Sequence, residues 1–97
     1  MSTPLNETDI QAALGNLPGW EFHDDKLVRS FTFGSFKEAL SFLVRVGLEA
    51  EIANHHPEIT NVYNRVTLAL NTHDAGGKVT QNDVDLAGAI QHFDWTA

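Results

Sequence analysis

No cysteine occurs among the 97 residues, so neither a disulfide framework nor thiolate metal ligation or thiol catalysis is open to this chain. Positive charge is also scarce, with 6 Lys plus Arg against 13 Asp plus Glu and a formal net charge of -7. Such a surface repels a phosphate backbone instead of releasing its counterions, which argues against direct nucleic-acid binding. Low-complexity segments and linkers are missing, and no internal repeat appears beyond a duplicated hairpin-plus-helix pattern. No apolar run approaches the roughly 20 residues that span a bilayer. Met1 to Glu7 lacks the basic flank and apolar core of a secretory signal. A cytoplasmic protein without membrane association is expected. With 42% apolar residues the chain can build one core, and residues 1–97 read as a single domain.

What is present divides into alternating helical and strand periodicities. Asn6 can cap a first helix through Asp9, and Ile10, Ala13, Leu14 and Leu17 give it one apolar stripe before Gly15 and Pro18-Gly19 close it. Trp20 to His23 and Leu27 to Phe33 read as a hairpin around Asp24-Asp25, because Leu27, Arg29, Phe31 and Phe33 alternate with Val28, Ser30 and Thr32. Ser35 and Glu38 form a capping-box pattern ahead of a long helix, whose inward face is assigned to Ala39, Leu40, Leu43, Val46, Gly47 and Ala50. Pro57 disfavours helical geometry at His56, so this helix should end before or around the histidine pair.

Ile59 to Tyr63 and Arg65 to Thr72 predict a second hairpin turning near Asn64. A flexible loop is expected from Asp74 to Val79. Thr80 with Asp83 makes another capping box, and Val84, Leu86, Ala87, Ile90, Phe93 and Trp95 supply the apolar side of a last helix. The expected fold is α+β, in the order αββαββα, with a four-stranded antiparallel sheet and three helices on one face. The uncovered face and sheet edges make homo-oligomerisation an expectation.

The chemistry-bearing residues gather between Glu51 and Asp83, where three of the five histidines fall: His55, His56 and His73. Histidine titrates near neutrality and can donate or accept a proton at physiological pH, which suits acid–base work. Adjacent histidines rarely converge on one ion and no established ligand spacing appears, so a metal site is not expected. Each residue also has a plainer reading. His55 and His56 could be a solvated helix end, His73 a surface loop residue, Asp83 only a helix cap and Trp20 a core residue. His23 and His92 are assigned to the surface.

Asn54-His55-His56-Pro57-Glu58, Asn61-Val62-Tyr63-Asn64-Arg65-Val66, Thr72-His73 and Thr80 to Asp83, with Pro18-Gly19-Trp20 and Phe31 to Phe36 upstream, resemble the pterin-4a-carbinolamine dehydratases over nearly the whole chain. The resemblance implies dehydration of 4a-hydroxytetrahydropterin to quinonoid dihydropterin, with no metal or organic cofactor. It further implies a homodimer or homotetramer and a functional link to an aromatic amino-acid hydroxylase. Carried over by position, His55 and His73 would be acids serving departure of the C4a hydroxyl, while His56 would bind the pterin and assist as a base. Asn54, Thr72 and Asp74 would line the pterin pocket, Asp83 would support it, and Glu51 and Trp20 would contribute to its wall. The sequence departs from the family pattern in having asparagine at Asn54, where animal members carry aspartate, and in a His73–Thr80 loop one residue longer, with Lys78 the inserted residue. Two other roles fit the same residues: an interaction module, such as a dimerisation or assembly cofactor, and a pterin-binding protein without turnover.

Overall fold

In the computed structural model, which describes residues 3–93, the chain runs α1 (Glu7–Leu14), β1 (Glu21–His23), β2 (Lys26–Thr32), α2 (Phe36–Ala53), β3 (Glu58–Val62), β4 (Arg65–Leu70), a 3₁₀ turn (His73–Ala75) and α3 (Gln81–His92). The strands pair antiparallel in the order β1-β2-β4-β3, which is the expected α+β arrangement. No helix among the described residues is long and apolar enough to cross a membrane. Trp95, expected on the last helix, lies outside the described residues.

Local chemistry accounts for most element boundaries. Asn6 Oδ1 accepts the Asp9 backbone N–H at 2.8 Å and starts α1. The β1–β2 hairpin turns on Asp24 and Asp25, both at positive φ (51° and 61°), the requirement of a two-residue turn that matches strand twist. At the second hairpin, Asn61 Nδ2 donates to the carbonyls of Tyr63 (3.2 Å) and Arg65 (2.9 Å), and Asn64 Nδ2 donates to Phe33 O at 2.9 Å. The asparagines of Asn61 to Val66 therefore stitch a turn. Ser35 caps α2 by accepting Glu38 N–H, but the Glu38 carboxylate takes the N–H of Gly34, so only half of the expected capping box forms there.

On one face of the sheet, Leu27, Phe31, Val66, Leu68 and Leu70 are buried beneath α2 and α3. Phe42 is at the centre of this core, its ring 4.7 Å from Phe31, 5.0 Å from Phe33 and 5.7 Å from Phe93. The inward face of α2 is Ala39, Phe42, Val46 and Ala50 with Leu43 half-buried, which corrects the assignment of Leu40 and Gly47 to it. Leu40 is exposed, and a Cβ on Gly47 would meet nothing within 4 Å. The helix carries two apolar stripes, and only packing against the sheet selects between them.

The stretch from Asp74 to Val79 also differs from the flexible loop expected. Thr72 N–H donates to Lys78 O at 2.8 Å, Leu5 N–H donates to Val79 O at 2.9 Å, and Val79 is buried. Gly76 and Gly77 make the reversal between Thr72 and Lys78 possible, since both hold positive φ (75° and 74°). Lys78 Nζ donates to Asp25 at 2.9 Å and so ties the segment to the first hairpin. Phe42→Ala should cost about 3–5 kcal/mol by removing the central ring. Equilibrium urea unfolding measures this, and a loss below about 1 kcal/mol would show that the ring does not organise the core.

Candidate functional site

The end of α2 aims the first two histidines. Asn54 adopts the left-handed region (φ 50°, ψ 44°), its N–H donates to Glu51 O, and the His55 N–H donates to Ala50 O at 3.0 Å. This paired closure ends the helix, and asparagine tolerates the required φ better than most residues. His55 and His56 thus leave the helix before Pro57. From the other direction, β4 ends at Leu70 and the chain enters the 3₁₀ turn at His73.

These segments border one cleft of about 1090 Å³. Asn54, His55, His56 and Pro57 form one side; Thr72, His73, Asp74, Gly76 and Gly77 form another. The residues Lys26, Glu58, Ala69 and Asn71 contribute from the open face of the sheet, and Asn82 from the start of α3.

The histidines differ in what stands behind them. His55 is mostly buried, and its Nε2 donates to Asp83 Oδ1. Asp83 is completely buried; its Oδ2 accepts the hydroxyl of Thr72 and the backbone N–H of Thr80, each at 2.8 Å. An ionised carboxylate only accepts, so these contacts put the proton of a neutral His55 ring on Nε2 and leave Nδ1 unprotonated. The direction of the neighbouring hydroxyls follows: Thr80 donates to Thr72 Oγ1 at 2.7 Å and itself accepts Asn82 N–H at 3.2 Å. Capping α3 and fixing His55 are therefore done by the same carboxylate.

His56 is exposed, with Nε2 at 2.6 Å from Glu51 Oε1. Glu51 does not border the cleft; it touches His56 from outside it. No hydrogen bond engages the His73 side chain among the described residues. Trp20 is not at the cleft either. It is buried in the core, edge-on to Phe31 at 6.3 Å, with its indole N–H making no hydrogen bond. Its apolar bulk packs in the core beside β2. His23 and His92 are both exposed. Among the described residues no three His, Asp or Glu side chains form a group able to hold a metal ion.

Lys26, Glu58 and Asn71 enter the cleft without having been singled out as site residues. Only the sheet register could have found them, since β4 pairs with β2 on one side and β3 on the other and so brings residues 26, 58 and 71 together.

Fold and cleft together define a class: a small αββαββα domain with histidines from two chain segments opening onto one polar cavity. Comparison with known proteins agrees. The family model described as Pterin 4 alpha carbinolamine dehydratase matches residues 3–93, and the chain belongs to that family. Among its relatives are provisionally named pterin-4-alpha-carbinolamine dehydratases from Opitutus terrae, 55% identical with 98% of each chain covered, and from a Picosynechococcus species, 50% identical with 96% of this chain and 100% of that one covered. A crystal structure from Brucella melitensis, described as a transcriptional coactivator/pterin dehydratase, superposes with a TM-score of 0.88 at 37% identity, covering 93% of this chain and 97% of that one. A pterin dehydratase-like RuBisCO assembly factor of the alpha-carboxysome shares the fold, with a TM-score of 0.63 at 19% identity over 80% of this chain and 89% of that one.

Asp83→Ala should destabilise the protein by about 2–4 kcal/mol, because it leaves buried donors on His55, Thr72 and Thr80 without their acceptor. Asp83→Asn, which keeps an acceptor for Thr80 N–H, should lose less. Equal and small losses in urea unfolding would contradict the shared role of this carboxylate.

Proposed function

We propose that this protein dehydrates 4a-hydroxytetrahydropterin to quinonoid dihydropterin by histidine acid–base catalysis, with His55, His56 and His73 acting on the substrate. The observation that carries the reading is that all three border the same cleft, whose volume of about 1090 Å³ exceeds what a fused bicyclic ring needs. Family membership supports the substrate class.

In the reaction the C4a–O bond breaks as the hydroxyl takes a proton and leaves as water. The lone pair of N5 forms the new N5=C4a bond, and the N5 proton passes to a base. His55 suits the proton-donor role when its ring is doubly protonated: Asp83 holds Nε2–H and balances the charge, while Nδ1–H is the proton available to the cleft. His73 is the second acid at the departing hydroxyl. His56, held by Glu51, binds the pterin and accepts the N5 proton. Asn54, Thr72 and Asp74 border the bound ring, and Asp83 acts through His55 and Thr72. A positioned acid or base typically contributes about 10²- to 10⁴-fold. Service to an aromatic amino-acid hydroxylase in the cytoplasm completes this reading.

Self-association is favoured by one further observation. On α2, Phe36, Leu40, Val44, Leu48 and Ile52 are all exposed and recur every fourth residue. At about 100° per residue this ridge is symmetric about Val44, with Lys37 and Glu51 at matching positions on either side of it. An antiparallel second copy would set Lys37 of one chain against Glu51 of the other along an apolar seam, the self-complementarity of a two-fold interface. A homodimer or homotetramer built on this ridge is compatible with catalysis, because the ridge does not border the cleft.

Single replacement of His55, His56 or His73 by alanine should lower the dehydration rate by about 10²-fold or more for the acids, with the fold retained by circular dichroism and, in His55→Ala alone, a lowered unfolding midpoint from the lost Asp83 contact. Unchanged turnover in all three variants would reject the assignment. Val44→Asp should convert the assembly to smaller species in size-exclusion chromatography with light scattering; an unchanged mass would place the contact elsewhere.

A further inference from the structure

Lys26 opens β2 and Glu58 opens β3, with β4 lying between those strands. Leu27 pairs with Leu70 and Glu58 pairs with Ala69; since Leu27, Leu68 and Leu70 face the core, Lys26, Glu58 and Ala69 face the open side. The small methyl of Ala69 lets the two long side chains meet over it, and Lys26 Nζ donates to Glu58 Oε2 at 2.9 Å. All three residues border the histidine cleft. The Lys26 side chain is 31% exposed and that of Glu58 65%, so the lysine is the more sheltered partner of a pair that opens to solvent.

Joined in this way, the pair can present a row of hydrogen-bonding atoms: Nζ as donor, then Oε2 and Oε1 as acceptors. A pterin carries the complementary row on its pyrimidine edge, with O4 as acceptor and N3–H and the 2-amino group as donors. A carboxylate has about four lone-pair sites, so Oε2 can keep its contact with Lys26 while accepting a ring donor. Glu58 and Asp74 are the carboxylates that border the cleft, and Asp74 adjoins His73, where the reacting half of the ring would lie.

Resting on the pterin reading above, we infer that Lys26 and Glu58 form the specificity determinant of the cleft, reading the lactam–amidine edge of the pterin. The 2-amino group is the discriminating feature. A 2-oxo analogue such as lumazine places an acceptor against Glu58 Oε1, two oxygens facing each other without a hydrogen between them.

Glu58→Gln tests this directly. Glutamine keeps one acceptor for N3–H and turns its amide N–H₂ toward position 2, a row that suits lumazine and not pterin. In the wild type, 7,8-dihydropterin should bind more tightly than 7,8-dihydrolumazine when followed by ligand fluorescence. In Glu58→Gln the preference should fall by about tenfold or more, from weaker dihydropterin and stronger dihydrolumazine binding; partial exposure of the pair keeps the factor near this lower end. For dehydration, KM should rise about tenfold while kcat stays within about threefold, the split expected of an edge that binds ground and transition states alike.

Unchanged ligand preference, or equal weakening of both ligands, would overturn the assignment. Should Glu58→Gln fail to fold, Lys26→Met tests the donor at O4, a group both ligands share: both should weaken by a similar factor, and unaltered binding would overturn the inference. A wild-type protein that binds neither ligand would instead refute the pterin reading on which the assignment rests.

Discussion

The carboxylate of Asp83 lies where α2, the end of β4 and the start of α3 come together, and it is fully buried there. A buried charge is costly unless its lone pairs are filled, and here they accept from His55, Thr72 and the backbone of Thr80. Each donor belongs to a different segment that shapes the cleft. His55 follows the long helix, Thr72 directly precedes His73, and Thr80 begins the last helix. Satisfying one charge therefore sets the relative positions of both histidine-bearing strands of chain. Stability and the site's geometry draw on the same three hydrogen bonds.

The core and the cleft are separated by the pleat of β4. Val66, Leu68 and Leu70 point into the helical layer, while Ala69 and Asn71 on the opposite side lead into the cleft. Aromatic packing around Phe42 holds α2 against the sheet, and this fixes where Asn54 reverses the backbone and releases His55. The hairpin motif Asn61 to Val66 contributes at a distance: its asparagine side chains close a turn and tether it to Phe33, so β3 and β4 enter the sheet in a defined register. That register brings Lys26 to Glu58.

Much of this was legible in the residues. Period-two alternation gave the strands, helical periodicity and capping side chains gave the helices, and the order αββαββα follows from them. Asn6 and Thr80 cap as their spacing implies, and Asp24-Asp25 makes the tight turn despite lacking glycine. The misreadings have physical causes. Two apolar stripes run along α2, and periodicity alone does not tell which one the sheet covers: Phe42 is buried and Leu40 exposed. Trp20 follows a turn in sequence but packs as core, and Glu51 reaches His56 from outside the cleft. Contacts such as Lys26 with Glu58 join residues far apart in the chain and depend on strand order, which no local pattern encodes.

The proposed chemistry needs one bicyclic ring among three imidazoles drawn from two parts of the chain. A crystal structure with a dihydropterin bound tests it most directly, because placement of the ring decides geometry before any argument about proton transfer. C4a should face His55 and His73 close enough for a hydroxyl on it to come within hydrogen-bond reach of both, about 2.6–3.2 Å, with N5 toward His56. A ring bound outside this cleft, or inside it with C4a turned away from all three histidines, would contradict the account.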